Sequence, residues 1–438
     1  MVSSNTHPLF KALTGVGDER TCHDISDGAC EQEPASFETH VFSVSASKIA
    51  DGLIDPKLVL AWLLTSLSAP AVFIGLLVPI REAGALLPQL FIAGGIQRMA
   101  LRKRAWAVGA GIQGGAALSM GFAALYLTGS ALGIAIISAL AVMAVARSIC
   151  SVTYKDVLGK TVSQSRRGTA TGTASSVGAG AVLVFGGVLA ATIFPRMSVV
   201  TVGLFLAGAA WVISALAFSR MYEEPSDTHD EASPLQAGLN NLSLLKQDAQ
   251  LRRFILARGL LISTALAPPF MVSLAAQAGG RAADQNAFGG LGLLVIASAL
   301  AGLLSSYVWG RLADRSSRKV LIFTAGAASL ALLATLGLHA LSLLGEIWAL
   351  PLVLFGLMIA YQGVRLGRST HLVDMATPET RAAYTALSNT IIGILLLLGG
   401  AFSLVAEYAG EAVTLMCLCA MSLLAIPAAI GLNQVQNA

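Results

Sequence analysis

Long apolar runs separated by short polar turns dominate the chain from residue 58 onward. A helix needs ~20 mostly apolar residues to cross a hydrocarbon layer ~30 Å thick, because each residue rises ~1.5 Å. That ruler predicts twelve spans. Six fall at 58–80, 83–98, 105–128, 130–151, 171–194 and 197–218, and six more at 252–276, 287–308, 320–342, 347–366, 385–408 and 411–433. The alternation expected of barrel strands is absent, and unpaired backbone is costly in lipid, so the predicted fold class is all-α and integral to the membrane.

The polar stretches divide the chain. Residues 1–57 hold nine acids and read as a cytoplasmic tail, with a candidate interfacial helix at Ile49, Ala50, Leu53 and Ile54. Without a basic start or an apolar core, this tail does not resemble a cleaved signal peptide. The acidic link at 219–250 separates two six-helix bundles, 58–218 and 251–433, and Leu235, Leu239, Leu242 and Leu245 give it a short helical stripe. Residues 434–438 form a second short tail.

Composition supports the same class. The 438 residues are 55% apolar and 12% charged, about half the charge of an ordinary soluble protein. The net charge of +4 is spread over short loops and builds no basic face, which excludes a nucleic-acid partner. The five cysteines lack the paired spacing of a zinc ribbon or a disulfide scaffold. No metal or other cofactor is expected. Lysine and arginine cluster in alternate loops: Arg98 to Arg104, Lys155 to Arg167, Arg311 to Lys319, and Arg368 with Arg381. These ends are retained in the cytoplasm, which places both termini there and suits a bacterial-type inner (plasma) membrane.

The two bundles repeat. Arg147 and Asp156 recur as Arg365 and Asp374 at the same spacing, near the ends of the fourth and tenth spans. The Gly94–Lys103 loop is matched by Gly310–Lys319, and Leu67-Ser68-Ala69-Pro70 by Ala265-Leu266-Ala267-Pro268. Duplicated bundles allow two gates to be built around one central site.

The loop from Gly310 through Leu312, Ala313, Asp314 and Arg315 to Arg318 and Lys319 resembles the loop motif of the major facilitator superfamily: a Gly, two apolar positions, Asp-Arg, then a basic pair. The resemblance implies twelve helices in two pseudo-symmetric bundles and transport by alternating access. It also implies a gating role for Gly310, Asp314, Arg315, Arg318 and Lys319, whose charges form bonds in one access state and lose them in the other. The first-half loop departs from the pattern, with Arg98 at the acid's position and Leu101 at the second Gly. Asp156 is a candidate replacement acid for Arg102. Arg147 is similar to the family's fourth-helix arginine but lacks the following Gln-Gly, and it reads as a helix-end arginine paired with Asp156 or reaching the headgroups.

Cavity candidates are Pro70 and Pro268, which interrupt their helices, together with Gln89, Gln113, Arg258, Tyr361, Gln362 and Asn389. All 24 acids fall in the tail, loops or helix ends, so a proton route is left with Glu82 or Glu407 and the site suits a neutral or amphipathic solute. The expected function is a secondary transporter of a small solute, working as a monomer in the lipid bilayer. The alternative is a non-transporting scaffold or assembly factor of the same fold. An enzyme is not indicated, since His339 and His371 have no clustered partners.

Overall fold

A computed structural model of the chain describes residues 7–14, 25–89, 92, 95, 96, 98–191, 193–225, 244–278, 290–376 and 381–435. The first half contains α1 (Pro8–Thr14), α2 (Asp27–Ile54), α3 (Val59–Ser66), α4 (Ala71–Leu86), α5 (Arg102–Tyr126), α6 (Gly129–Thr161), α7 (Gln164–Ala190) and α8 (Arg196–Ser219). The second contains α9 (Ala249–Leu260), α10 (Ser263–Ala278), α11 (Leu291–Ala340), α12 (Ala349–Met375), α13 (Arg381–Gly399), α14 (Phe402–Ala409) and α15 (Glu411–Ile430). The fold is all-helical. Among the described residues, nine helical segments are long and apolar enough to cross a membrane, from Arg102–Tyr126 to Glu411–Ile430. Residues 226–243 of the link lie outside the described set, with Leu235, Leu239 and Leu242.

The beginning of the first half corrects the sequence reading. The expected span at 58–80 is broken: α3 ends at Ser66, Ser68 takes a positive φ of 56°, and Pro70 opens α4. Pro70 therefore lies at a turn between helices and does not interrupt a span. The chain ahead of it is not a bare polar tail, because α2 packs along α7 and α8 over 28 residues. Its buried stripe is Glu33, Phe37, His40, Ser43, Ala50 and Ile54, spaced three, four or seven apart, with Ser47 half-buried in the gap. Half of that stripe is polar; Glu33 and His40 Nε2 have side-chain partners, whereas His40 Nδ1 and the Ser43 hydroxyl have none among the described residues. Glu33 accepts from the Ser163 backbone N at 2.8 Å and from Arg166 at 2.7 Å. His40 bonds the Thr161 hydroxyl at 2.8 Å. Trp211 donates to Ser47 at 3.1 Å, and Ser214 donates to the Ser43 carbonyl at 2.7 Å. Satisfied in this way, polar groups can sit in a buried helix at little net cost.

Ring packing closes the same region: Trp106 stacks on Phe218 at 4.0 Å, and His40 meets Phe218 edge-on at 5.3 Å. At the start of α5 the orphan N–H groups of Arg102 and Lys103 donate to the buried Glu223 carboxylate at 3.1 and 2.8 Å. An anion at a helix N-terminus meets the positive end of the helix dipole. Cys30, on α2, is in a disulfide, which its sequence spacing did not announce.

The halves meet through α4 against α13 and α14, α7 against α11, and α10 against α3 and α4. Small residues allow the closest approaches. A Cβ on Gly292 would lie 2.3 Å from the Ala190 backbone N, and one on Gly75 would lie 2.5 Å from the Ser403 Cβ. Both contacts sit at the ends of the helices remote from the basic loops.

Candidate functional site

The interior of the first half holds a charged triad that sequence position did not suggest. Asp51 on α2 accepts from Arg81 on α4 at 2.6 Å and from Arg147 on α6 through its other oxygen. Asp51 is in the last turn of α2, but Arg147 is well inside α6 and not at a helix end. Arg147 is one turn from Cys150, whose sulfur accepts from Gln113, the twelfth residue of the 25-residue α5. The triad is therefore level with the middle of the bundle. Asp51 and Arg147 are 96 residues apart, and no helical spacing relates them.

Beside the triad, α2 and α7 of the first half and α11 and α12 of the second enclose a cavity of about 980 Å³. Its polar lining is Lys48 and Asp55 from α2 and its C-cap, Ser175 and Ser176 from α7, Ser298 from α11, and Gln362, Arg365, Arg368 and Ser369 from α12. Both halves contribute to the lining, and Gly52 and Gly178 on it let α2 and α7 approach closely. At its edge the Lys57 ammonium lies 3.4 Å from the centre of the Tyr361 ring, a cation–π contact between the halves. A smaller cavity of about 280 Å³ lies at the closed end, lined by Thr65, Ile74, Ser273 and Glu411, where Ser273 donates to Glu411 at 2.8 Å.

Among the residues singled out from sequence, Gln362 lines the large cavity and Tyr361 borders it through Lys57. Gln89 bonds the Ala85 carbonyl at 2.8 Å on its own helix. Gln113 is buried against Gly109 and Cys150. Arg258 is buried and donates to Ser388 at 2.7 Å and to Asn389 at 2.9 Å, so these three form one cluster apart from the cavity lining. Pro268 is buried inside α10. The helix-end pairs separate: Arg147 takes Asp51, while Asp156 takes Arg102 at 2.5 Å and Lys160 at 2.8 Å. In the second half Arg365 faces the cavity, whereas Asp374 lies about two and a half turns further along α12.

Gly310 to Lys319 occupies a break in α11, where Ser316 leaves helical geometry at φ −167° and ψ 98°. Arg315 and Lys319 are exposed, and Ser317 bonds His371 at 2.9 Å. The side chain of Asp314 lies outside the described set. Sequence reasoning missed Lys48, Asp51, Asp55, Arg81 and Arg368. The one signal that could have found the α2 residues is the stripe from Glu33 to Ile54, which keeps helical period but not apolar character.

The fold is shared with solved transporter structures. A mutant of the nucleoside transporter NupG superposes with a TM-score of 0.69 at 13% identity, covering 90% of this chain and 98% of that one. NupG itself gives 0.65 at 12% identity over 90% and 98%. A POT family transporter in complex with a thioalcohol-conjugated peptide gives 0.67 at 10% identity over 90% and 95%. The chain shares the fold of these transporter structures, and at these identities the likeness speaks for the fold alone. No protein-family profile and no curated protein sequence matches the chain. Within this multi-pass fold, the large cavity lies between the two halves, and the Gly310–Lys319 segment joins the two helical parts of α11.

Proposed function

We propose that the chain is a secondary transporter that moves a small solute by alternating access of its two halves. The observation that supports this best is the cavity of about 980 Å³ lined jointly by α2, α7, α11 and α12, with the halves in tight contact at one end through Gly292–Ala190 and Gly75–Ser403. A space closed on one side and shared by two packed bundles is what rocking of those bundles would open and close. In this reading twelve spans are present, and the first runs through α2 and α3 from residue 27 to 66, so the first bundle extends from 27 to 218 and the second from 251 to 433. The basic loops mark the cytoplasmic side, both termini lie there, and the cavity belongs to the inward-facing state of a monomer in the plasma membrane. Gly310, Asp314, Arg315, Arg318 and Lys319 act as the gating loop.

The test is uptake by liposomes reconstituted with the purified protein, across sugars, organic acids, amino acids, nucleosides and peptides, with and without a pH gradient. Saturable uptake supports the carrier. Absence of flux for every solute, with monodisperse protein, overturns it in favour of a non-transporting scaffold.

A further inference from the structure

We infer that the cavity recognises a solute bearing a compact oxyanion, a carboxylate or a phosphate, held by Lys48 from the first half and Arg365 and Arg368 from the second; this rests on the transporter reading of the same cavity. The inference starts from which charges around the cavity are already matched. Asp51 is bonded to Arg81 and Arg147. Asp55 lines the cavity, but one of its oxygens accepts from the backbone N of Lys57 and Leu58 at 2.8 and 3.3 Å, and its strongest favourable charge partner is the Lys57 ammonium. Glu82 also has Lys57 as its strongest favourable charge partner, ahead of Arg368, Arg81 and Arg365. Three cations on the lining, Lys48, Arg365 and Arg368, make no ion pair among the described residues.

The internal repeat sharpens the point. Arg147 and Arg365 hold matching positions in the sequence repeat, yet among the described residues only Arg147 is ion-paired to a carboxylate. Arg365 lines the cavity, its guanidinium 5.9 Å from the Tyr361 ring centre. Arg368, one turn on, lies on the same face of α12. Guanidinium groups present parallel N–H donors that match the two oxygens of a carboxylate or phosphate. The hydroxyls of Ser175, Ser176, Ser298 and Ser369 and the Gln362 amide add neutral donors around them. Because the nearby carboxylates Asp51 and Glu82 are shared with Arg81, Arg147 and Lys57, a neutral solute would leave the lining with an excess of positive charge, which is unfavourable in a partly desolvated space. Because the cations come from both halves, a bound anion would also screen their mutual repulsion and favour approach of α2 toward α12.

The experiment uses the full chain and matched probes: gluconate against glucose, glycerol 3-phosphate against glycerol, inorganic phosphate, and choline as a cation. Binding is read as the shift in melting temperature of the detergent-solubilised protein, and transport as uptake into proteoliposomes. The expected result is stabilisation by at least one anion and by none of its uncharged counterparts, with affinity weakened roughly tenfold or more in Arg365→Gln and Arg368→Gln and partly retained in Arg365→Lys. Carboxylate and phosphate probes distinguish the two chemistries. Stabilisation by no anion overturns the assignment, as does binding that is unchanged in both glutamine variants. Flux of glucose, glycerol or choline that ignores these variants keeps the carrier and removes the anion site. Anion binding without any flux keeps the site and removes the carrier.

Discussion

Arg147 on α6 reaches Asp51 on α2, so a helix from the polar N-terminal region is tied by charge to the middle of the first bundle. Arg81 completes the arrangement from α4 at 2.6 Å. One carboxylate thus holds three helices, and its removal would leave two guanidinium groups facing each other inside the fold. Asp51→Asn is expected to destabilise the protein by about 2 kcal/mol, below the ~3–5 kcal/mol of a fully buried pair because the side chains are partly exposed. Thermal unfolding in detergent measures it. The double variant Asp51→Asn with Arg147→Gln should recover part of the loss; no recovery would mean that the pair is not energetically coupled.

Glu223 caps α5 from outside that helix, its carboxylate taking two backbone N–H groups while itself buried. Glu223→Ala is expected to cost about 1–2 kcal/mol, the range of a lost helix cap with a charged acceptor. Asp156→Asn, which breaks more exposed pairs with Arg102 and Lys160, should cost less than about 1 kcal/mol. Chemical denaturation of the two variants should rank them in that order.

The approach of Gly75 to Ser403 offers a direct check on rocking of the halves. In a background without the native thiols, Gly75→Cys with Ser403→Cys is expected to form a disulfide once the two helices ease apart by about 1 Å, since bridged Cβ atoms lie ~3.5–4.5 Å apart, and to stop uptake, and a reductant should restore it. Flux that continues at full rate in the oxidised pair would show that this end need not open. Gly292→Leu, which cannot fit against Ala190, should lower the crosslinking yield by holding the halves apart.

Asp248 lies just ahead of α9, where its carboxylate accepts from Gln250 and Leu251 backbone N–H groups and from the Tyr384 hydroxyl at 2.6 Å. Burial pushes its carboxyl up, but these bonds outweigh it and hold the group below the ordinary carboxylate range. A lowered native pKa stabilises the fold above the unfolded carboxylate's value near ~3.9, and that contribution is lost as pH falls through the native value. Tyr384→Phe should therefore move the acid limb of unfolding to higher pH. An acid limb that does not move would mean that the hydroxyl contributes nothing to the cap.

The gating loop is tested by Asp314→Asn, which should reduce uptake at least tenfold, a barrier change of about 1.4 kcal/mol or more, without lowering the amount of folded protein. Wild-type uptake in that variant would confine the loop to setting topology.

Among the described residues, nine of the ten spans expected from 105 onward match helices long and apolar enough to cross a membrane, the exception being 287–308; they were legible because a lipid-facing helix must be apolar over its whole length, and composition alone reports that demand. The repeat and the Gly310–Lys319 motif could be read at all because each is a local pattern at fixed spacing. The first helix could not. It meets protein and a cavity along much of its surface, so it can keep Glu33, His40 and Asp51 provided that other helices supply Arg166, Thr161 and Arg147. A window of hydropathy cannot see those partners, which lie 96 to 133 residues away. The same blindness set Arg147 beside Asp156 on its own helix, and left Lys48 and Asp55 in a tail when they line the cavity. The sequence determined by itself most of the helices that are long and apolar enough to meet lipid. Only the tertiary structure decided which charges neutralise one another and which remain to face a solute, because that depends on distances across helices that no spacing along the chain encodes.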